Sequence, residues 1–268
     1  EPPAEGGAMT LAGRVALVTG GNRGIGGAIS LALARDGADV AILYRRDEAS
    51  ARETAQRIQA MGRRCVTVQA DVSDYEQVKA AVAQASQALG PVDILVHNAG
   101  IASRGLSIVD SDLKEWRRVI DTHIFGGMHL VKEVAPGMRG KKRGDVIFIS
   151  SAATLRNPPH YSPYLEAKAG LEAMARALAK EERKNNIRVN VVAPGLVETE
   201  LGRRLVKGAL GVDDIKTLYA TYPFGRVCQP EDVADCVAFL CSPGCQYVSG
   251  QVIYMDGGLG GELPGKPA

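Results

Sequence analysis

The chain has 268 residues, of which 46% are hydrophobic and 23% are charged, and this composition fits one globular domain with a large core. The formal net charge is only +2, with acids and bases interspersed, so no broad positive field is available for nucleic acid. No long apolar run occurs, and the first residues lack the basic and apolar blocks of a secretory signal, so we expect a cytoplasmic protein without membrane contact.

The ends of the chain and its cysteines complete this outline. Residues 1–9 are rich in Pro, Gly and Glu and predict a disordered leader or an artificial remnant, while residues 259–268 predict a loose C-terminal tail. Five cysteines, an odd number, do not fit a secreted disulfide framework and indicate a reducing compartment. Three of them, Cys236, Cys241 and Cys245, lack both CxxC spacing and a nearby histidine, so no metal site is expected.

Seven short apolar segments alternate with segments of helical period. Each apolar segment is rich in β-branched residues on both faces, which predicts a strand buried inside a parallel sheet. Helical patterns between them include residues 49–61, 73–89 and 166–184. This alternation predicts an α/β fold: a single-domain Rossmann-type, doubly wound parallel sheet of about seven strands with helices on both faces. The predicted strands are RVALVT, ADVAILY, RCVTVQA, VDILVHN, GDVIFIS, IRVNVVAP and GQVIYMD.

The first predicted strand runs into TGGNRGIG, residues 19–26, and then into a helix that begins near Ile25. Glycines at 20, 24 and 26 permit a tight turn, a close approach of backbone to a pyrophosphate and close packing of helix on strand. The helix N-terminus favours an anion. The segment therefore predicts a dinucleotide site, although its G-x-x-x-G-x-G spacing differs from the commoner G-x-G-x-x-G.

Two tyrosines precede a lysine in YSPYLEAK, residues 161–168. Residues four apart share one face of a helix, so Tyr164 and Lys168 can meet, whereas Tyr161 lies nearly two turns from the lysine. A phenol beside an ammonium is a plausible proton donor. The same spacing also occurs on solvated helices, so the pair alone does not decide between chemistry and packing.

Six segments in chain order resemble the motif series of the classical short-chain dehydrogenase/reductase family. They are TGGNRGIG, ADVSD at 70–74, HNAG at 97–100, ISS at 149–151, YLEAK at 164–168 and APGLVET at 193–199. The later segments FGRVCQPEDVA and VSGQVIYMDGG are similar to the C-terminal part of that family. The resemblance covers about residues 11–258, is strongest toward 3-oxoacyl-carrier-protein reductases, and implies that residues 10–258 form a dinucleotide-binding catalytic domain.

The resemblance assigns the catalytic set to Ser151, Tyr164 and Lys168. Tyr164 would exchange a proton with the carbonyl oxygen while Ser151 holds that oxygen. Lys168 would bind the nicotinamide ribose and lower the phenol pKa from about 10 by one to three units. Ser150 would face the opposite side of its strand, because successive strand side chains alternate.

A fourth family position, normally an asparagine in the helix after HNAG, is His123 here. The family's asparagine acts largely through its backbone carbonyl, in a helix distortion that holds a water beside the lysine. We count His123 as a catalytic candidate, because an imidazole with a pKa near neutrality would join a proton relay; packing at an interface is the alternative. His97 replaces the first asparagine of the family's NNAG, and we expect it to cap its strand, with cofactor contact as the alternative.

Cofactor preference depends on the end of the second predicted strand. Members that prefer NAD place an acid there, whereas this chain has Tyr44 followed by Arg45 and Arg46. Arg23 in the glycine turn adds a cation, and guanidinium groups suit a 2′-phosphate. We therefore expect NADP(H) rather than NAD(H), with a solvated charge run formed with the two acids that follow as the alternative.

The resemblance implies further contacts from loops at the carboxyl edge of the sheet. Residues 196–223 resemble a substrate-covering loop, and Tyr161 precedes the catalytic helix. Predicted pocket walls are Tyr161, Leu196, Leu201 and Leu205. Predicted cofactor contacts are Gly20, Asn22, Arg23, Gly24, Ile25, Gly26, Tyr44, Arg45, Arg46, Asp71, Val72, Asn98, Ala99, Gly100, Tyr164, Lys168, Pro194, Gly195, Val197 and Thr199.

The implied reaction interconverts a ketone and a secondary alcohol with NADP(H), and a 3-oxoacyl thioester is the best substrate prediction. A general carbonyl reductase or secondary-alcohol dehydrogenase is the first alternative, and a dinucleotide-sensing binding protein without turnover is the second. Basic residues 141–143 and 183–184 would dock an acidic acyl carrier protein or carry ordinary solvated charge. The resemblance also implies a homo-oligomer, tetramer or dimer.

Overall fold

The computed structural model describes residues 11–264, so the predicted leader at 1–9 and residues 265–268 of the predicted tail lie outside the described residues. Seven parallel strands form one sheet in the order β3-β2-β1-β4-β5-β6-β7. Every strand falls within a predicted apolar segment, which confirms the predicted architecture. The strands are β1 (Val15–Thr19), β2 (Asp39–Tyr44), β3 (Cys65–Gln69), β4 (Ile94–His97), β5 (Gly144–Ile149), β6 (Ile187–Pro194) and β7 (Val252–Met255).

The α-helices alternate with the strands as predicted. The helix expected from residue 166 begins earlier, at Ser162, because Pro163 in the first turn has the fixed φ that a helix start accepts. A π-helical turn, Asp121–Phe125, joins α4 to α5. The helices are α1 (Gly24–Arg35), α2 (Glu48–Ala60), α3 (Tyr75–Leu89), α4 (Leu113–Ile120), α5 (Gly126–Met138), α6 (Ser162–Glu182), α7 (Glu200–Leu210) and α8 (Pro230–Cys241).

Helices cover both faces of the sheet. Buried side chains of α1, α2 and α8 form one apolar cluster with the sheet, and those of α3, α5 and α6 form the other. None of the helices within residues 11–264 has the length and apolar character needed to cross a bilayer. The prediction that all seven strands are buried on both faces is wrong for β3 and β7, which are partly exposed because they are the edge strands.

The chain order reverses at β1, which pairs with β2 on one side and with β4 on the other. In a doubly wound sheet the crevice at such a reversal, beyond the carboxyl ends of the strands, is where ligands bind. The predicted motif loops follow β1, β4, β5 and β6, so they all open at this edge.

Residues 196–227 fold over that edge as a cap, built from α7 and two short 3₁₀ turns, 215–221 and 223–225. The cap has its own apolar cluster, separate from the two clusters of the sheet. Leu259 and Leu263 pack on this cluster, and Glu262 pairs with Arg156. The prediction of a loose tail is therefore wrong for residues 259–264, because these leucines bury apolar surface on the cap.

Candidate active site

The glycine turn is shaped by backbone requirements that exclude side chains. Gly20 and Gly24 have φ of +60° and +53°, in the left-handed region. A Cβ on Gly26 would lie 2.1 Å from the carbonyl oxygen of Gly20. Helix α1 starts here without a side-chain cap and without an acidic residue in its first turn. Its first N–H groups therefore have no capping side chain and would bind an anion, so the turn fits the pyrophosphate of a dinucleotide.

The residues expected to select the cofactor lie at the end of β2. Tyr44 is buried in the core, so its ring is not presented at the surface. Arg45 Nε lies 2.8 Å from Asp71 Oδ2, which joins a predicted 2′-phosphate residue to a predicted adenine contact. The exposed Arg46 has no ion-pair partner within residues 11–264. The cation that remains available for a phosphate is therefore Arg46, followed by the partly exposed Arg45.

Arg23 binds anions of the protein itself. Its Nη1 lies 2.9 Å from Glu200 Oε2 and 3.7 Å from Asp47 Oδ2, so it connects the glycine turn to the first turn of α7. The alternative of one charge run through the acids after Arg46 is not supported, because Asp47 caps α2 and Glu48 pairs with Arg52.

His97 connects the first strand to the π-helical turn. The Thr19 hydroxyl accepts the backbone N–H groups of Asn98 (3.1 Å) and Ala99 (3.0 Å), so its own proton goes to His97 Nδ1, 3.2 Å away. His97 Nε2 therefore carries the ring proton and donates it to the carbonyl oxygen of His123 at 2.9 Å. Burial, aided by Lys168, lowers the pKa of His97 to about 4, so the ring is neutral.

His123 lies in the π-helical turn, which agrees with the helix distortion that the resemblance implies. Its buried ring packs edge-on against the Tyr164 ring, with centroids 5.7 Å apart and planes at 87°. Its Nε2 lies 3.1 Å from Ile101 N and 2.9 Å from Ile101 O, whereas its buried Nδ1 has no hydrogen-bond partner among the described residues. The tautomer with the proton on Nε2, which donates to Ile101 O, therefore leaves no ring donor unpaired. The expected pKa near neutrality is wrong, because burial and the Lys168 cation lower the pKa of His123 well below 6.5.

Ser151, Tyr164 and Lys168, the predicted catalytic set, lie close together. Ser151 follows β5 directly and lies near Tyr164, which is on the first turn of α6, so that its hydroxyl favours the ionised phenol. Lys168 is buried one helical turn further on, and its Nζ lies 5.5 Å from the centroid of the Tyr164 ring. The same Nζ donates a hydrogen bond of 2.7 Å to the carbonyl oxygen of Ile149. A carbonyl oxygen placed against Ser151 and Tyr164 would meet two hydroxyl donors.

The charge states of this set differ from the prediction. Burial raises the pKa of Tyr164, and the Ser151 hydroxyl opposes this only in part. Burial also lowers the pKa of Lys168 from 10.5 to about 7, so this lysine is a weaker source of positive potential than a solvated ammonium. The expected lowering of the phenol pKa by Lys168 is therefore not found. A neutral phenol is nevertheless the form that can give a proton to a carbonyl oxygen.

The residues predicted to line a substrate pocket lie on the cap and on the chain before α6. Leu201 and Leu205 are 50% and 37% exposed, and Tyr161 is partly exposed. Leu196, also predicted as a pocket wall, is buried in the apolar cluster of the cap. Thr199 caps α7 through its hydroxyl and faces Gly24 across the crevice.

The remaining predicted cofactor positions are found in turns and strand ends at this same edge of the sheet. Asn98 Nδ2 donates to the Thr19 carbonyl oxygen at 3.0 Å, which fixes the loop after β4 to the end of β1. The other positions are Asn22 and Ile25 in the glycine turn and α1, Val72 after β3, Gly100 after β4, Pro194 at the end of β6, and Gly195 and Val197 after it.

The two basic clusters lie elsewhere. Lys141 pairs with Asp93 (2.6 Å) and Arg143 pairs with Asp145 (2.9 Å). These residues precede β5, and residues 183–184 precede β6, so both clusters lie at the amino edge, opposite the serine that follows β5. Pairing within the chain thus uses two of the five cations.

Two residues at the site were not predicted from the sequence. Thr19 contacts His97 because β1 pairs with β4 in a register that places the two residues side by side. That register is a property of the fold and is not visible in the sequence. Glu172 is buried and follows Tyr164 and Lys168 by eight and four residues, so it lies on the same face of α6. That spacing was the available signal for Glu172.

Known proteins share this sequence pattern and fold. The profile of the family described as enoyl-(acyl carrier protein) reductase matches residues 20–260. A 3-oxoacyl-[acyl-carrier-protein] reductase of Pseudomonas aeruginosa is 38% identical over 251 residues, 94% of this chain and 99% of that protein.

Solved structures agree. A short-chain dehydrogenase from Burkholderia cenocepacia in complex with NADP has a TM-score of 0.83 at 33% identity, covering 92% of this chain and 98% of that one. L-Sorbose reductase from Gluconobacter frateurii, complexed with NADPH and L-sorbose, has a TM-score of 0.86 at 30% identity, covering 96% of this chain and 100% of that one.

With these matches and the nucleotide-type crevice, the chain belongs to the short-chain dehydrogenase/reductase family. Within that family its sequence pattern is like that of the 3-oxoacyl-[acyl-carrier-protein] reductases. It is accordingly an oxidoreductase of that family.

Proposed function

We propose that the protein interconverts a ketone and a secondary alcohol with NADP(H) as cofactor. The observation that carries this proposal is the convergence of Ser151, Tyr164 and Lys168 at the carboxyl edge of the sheet, beside an uncapped helix N-terminus with a glycine turn. Two hydroxyl donors directed at one oxygen stabilise the negative charge that develops on a carbonyl during reduction.

Each member of the set has a separate role in the proposed reaction. Ser151 holds the carbonyl oxygen, and Tyr164 transfers its proton to that oxygen as the alkoxide forms. Lys168 supplies positive charge behind the phenol, and its protonated fraction falls as pH rises through about 7. His123 orients the Tyr164 ring by edge-on contact, and its low pKa keeps it neutral, so it acts in packing and through its backbone carbonyl.

NADP(H) fits the residues around the crevice and supplies the hydride when bound. The glycine turn and the N-terminus of α1 would hold the pyrophosphate, and Arg46 with Arg45 would hold the 2′-phosphate. The Burkholderia dehydrogenase and the sorbose reductase are described with NADP and NADPH respectively, which supports the same preference.

A 3-oxoacyl thioester is the proposed substrate. The Pseudomonas relative is named for that substrate class, and exposed leucines of the cap offer apolar surface to an acyl chain. The likeness to L-sorbose reductase favours a second candidate, a general carbonyl reductase that takes small polar ketones.

Partners and location follow the same proposal. An acyl carrier protein would deliver the thioester, and a homo-oligomer would cover exposed aromatic side chains such as Phe239 and Tyr247, which are 48% and 103% exposed. All five cysteines carry free thiols, which supports a reducing compartment such as the cytoplasm.

A substrate screen with both cofactors tests the proposal. We expect NADPH oxidation with acetoacetyl thioesters to exceed NADH oxidation at least about tenfold, a difference of about 1.4 kcal/mol in transition-state binding. Tyr164→Phe should reduce turnover by about 10²- to 10⁴-fold with nearly unchanged NADPH affinity, because it removes only the proton donor. Tyr75→Phe, on α3 and not among the predicted site residues, is the matched control and should stay active.

Four outcomes contradict parts of this proposal. Full activity in Tyr164→Phe would refute the catalytic assignment. Preference for sorbose or other free ketones over thioesters would select the second candidate, and reduction of 2-enoyl thioesters instead would place the reaction at a carbon–carbon bond. NADPH binding without turnover on any carbonyl would identify a dinucleotide-sensing protein.

A further inference from the structure

A buried carboxylate lies beside the catalytic set and has no part in the roles given above. Glu172 on α6 is 5% exposed and lies one helical turn beyond Lys168. Ser150 Oγ donates to its Oε1 at 2.7 Å, and Thr154 Oγ1 lies 2.9 Å from the same oxygen. Tyr254 OH, from β7, lies 3.4 Å from Oε2. Three hydroxyl groups from two segments of the chain thus converge on one carboxylate.

Two of these hydroxyl groups belong to the turn that carries the catalytic serine. Ser150 precedes Ser151, and its side chain contacts α6 through Glu172. Thr154 follows Ser151 by three residues, and its single hydroxyl proton is shared between Glu172 Oε1 and the carbonyl oxygen of Ser151, each 2.9 Å away. Glu172 therefore holds the serine turn on both sides of the reactive hydroxyl, which places it in indirect control of the geometry at Ser151.

Glu172 also determines the charge balance around Lys168. The groups that face Lys168 from β4 and from the π-helical turn are His97 and His123, and both are neutral because burial lowers their pKa values. Tyr164, on the same helix, is a neutral phenol because burial raises its pKa. Glu172 opposes the burial of Lys168 and raises its pKa.

The groups around Glu172 other than Lys168 neutralise its charge only weakly. Arg176, one turn further along α6, lies 4.0 Å from Oε2, but its side chain is 52% exposed and therefore screened by solvent. The three hydroxyl groups are neutral donors. A buried carboxylate held by hydroxyls acts on a nearby cation more strongly than a solvated one, because the interior screens less.

We propose that Glu172 is a positioning residue for the proposed reaction: it fixes the turn that carries Ser151 and supplies the counter-charge that maintains the Lys168 ammonium. The inference rests on the proposed function, since it assigns the support of the same catalytic set. It adds a carboxylate to a site whose other charged member is a lysine.

The charge component is tested with Glu172→Gln. The glutamine amide oxygen still accepts hydrogen bonds from Ser150 and Thr154, so the turn is kept while the negative charge is lost. We expect the limb on which kcat/KM for ketone reduction falls with rising pH to move to lower pH by about one unit, because the Lys168 pKa falls further. Glu181→Gln, an exposed position on the same helix, is the control and should leave the pH profile unchanged.

The positioning component is tested with Glu172→Asp. This variant keeps the charge but shortens the reach to Ser150 and Thr154, so we expect the limb to return toward the wild-type pH while kcat falls at least about threefold. An unshifted limb in Glu172→Gln would overturn the charge component, and unchanged kcat in Glu172→Asp would overturn the positioning component.

A readout without turnover separates this inference from the proposed function. The Lys168 ammonium is followed by NMR of ¹⁵N-lysine-labelled protein with NADPH bound, assigned by comparison with Lys168→Met. We expect its titration midpoint to fall in Glu172→Gln and to stay in Glu181→Gln. The same midpoint in wild type and Glu172→Gln would refute the role of Glu172, whereas a shifted midpoint in a protein that reduces no ketone would refute the proposed function alone.

Discussion

Replacement of Lys168 by methionine should stabilise the fold while it abolishes turnover. The lysine is 4% exposed, and burial lowers its pKa from 10.5 to about 7. At pH 7 protonation of Lys168 strongly stabilises the unfolded chain, where the lysine pKa is 10.5. It hardly stabilises the folded chain, where the lysine pKa is about 7. At about 1.36 kcal/mol per pKa unit, this difference destabilises the folded chain by about 4 kcal/mol.

Lys168→Met removes this penalty, but it also removes contacts that stabilise the folded chain. Methionine cannot donate the hydrogen bond that Lys168 Nζ makes to the Ile149 carbonyl oxygen at 2.7 Å, a loss of about 1.5–3 kcal/mol. Glu172 also loses its cation, although its three hydroxyl partners remain. We therefore expect a net increase of about 2 kcal/mol in the free energy of unfolding at pH 7.

The pH dependence of the stability difference between Lys168→Met and wild type shows whether titration of Lys168 causes it. Below about pH 7 both states carry the ammonium and the folded chain bears the full penalty, while above 10.5 both are neutral and the penalty vanishes. The destabilisation of the wild type by Lys168 therefore decreases as pH rises between these values. The excess in the free energy of unfolding of Lys168→Met should shrink by about 2 kcal/mol or more from pH 7 to pH 9.

Urea unfolding followed by far-UV circular dichroism, at one fixed protein concentration and without added nucleotide, measures this difference. Titration of cysteines and tyrosines affects both proteins equally and cancels. A variant that is less stable than wild type at pH 7, or a difference that is the same at pH 7 and pH 9, would refute the reasoning.

Two further predictions concern residues around the π-helical turn. Gly100→Ala would place a Cβ 2.5 Å from His123 Cε1, so we expect the free energy of unfolding to fall by about 1–3 kcal/mol. In a His123→Ala background the same substitution should cost much less, and Gly208→Ala, with open space around it, is the control. An equal cost of Gly100→Ala in both backgrounds would exclude the clash. Because burial lowers the pKa of His97 from 6.5 to about 4, only the unfolded chain binds this proton between those values. Stability should thus fall by about 3 kcal/mol as pH drops from 6.5 to 4, and His97→Gln should flatten that slope in urea titrations; an unchanged slope would contradict the assignment.

Much of the fold could be predicted because its information is local. The seven apolar segments fix the strands, and helical spacing alone brings Tyr164 and Lys168 together. The exposure of β3 and β7 could not be predicted, because edge and central strands have the same apolar composition and differ only in their neighbours. The packing of residues 259–264 was missed for a similar reason: a Gly- and Pro-rich segment was taken as loose although Leu259 and Leu263 have a cap to pack on.

Charge states at the site could be predicted least well. Sequence spacing shows that a lysine is near a tyrosine, but it does not show that both are buried, and burial dominates the shifts of both groups. The neutral state of His123 has the same origin. The contact from His97 to the carbonyl of His123 requires the β1–β4 register and the π-helical turn together, and neither is visible in the sequence.

The separate apolar cluster of the cap has a consequence for evolution of this scaffold. Because Leu196, Val206 and Leu218 bury one another rather than the sheet, substitutions in the cap change few contacts of the two large clusters that hold the nucleotide crevice. Such a layout separates the packing of the cap from the packing that is needed to fold the sheet. Under the proposed function, new specificities could therefore arise through the cap while Ser151, Tyr164 and Lys168 keep their surroundings.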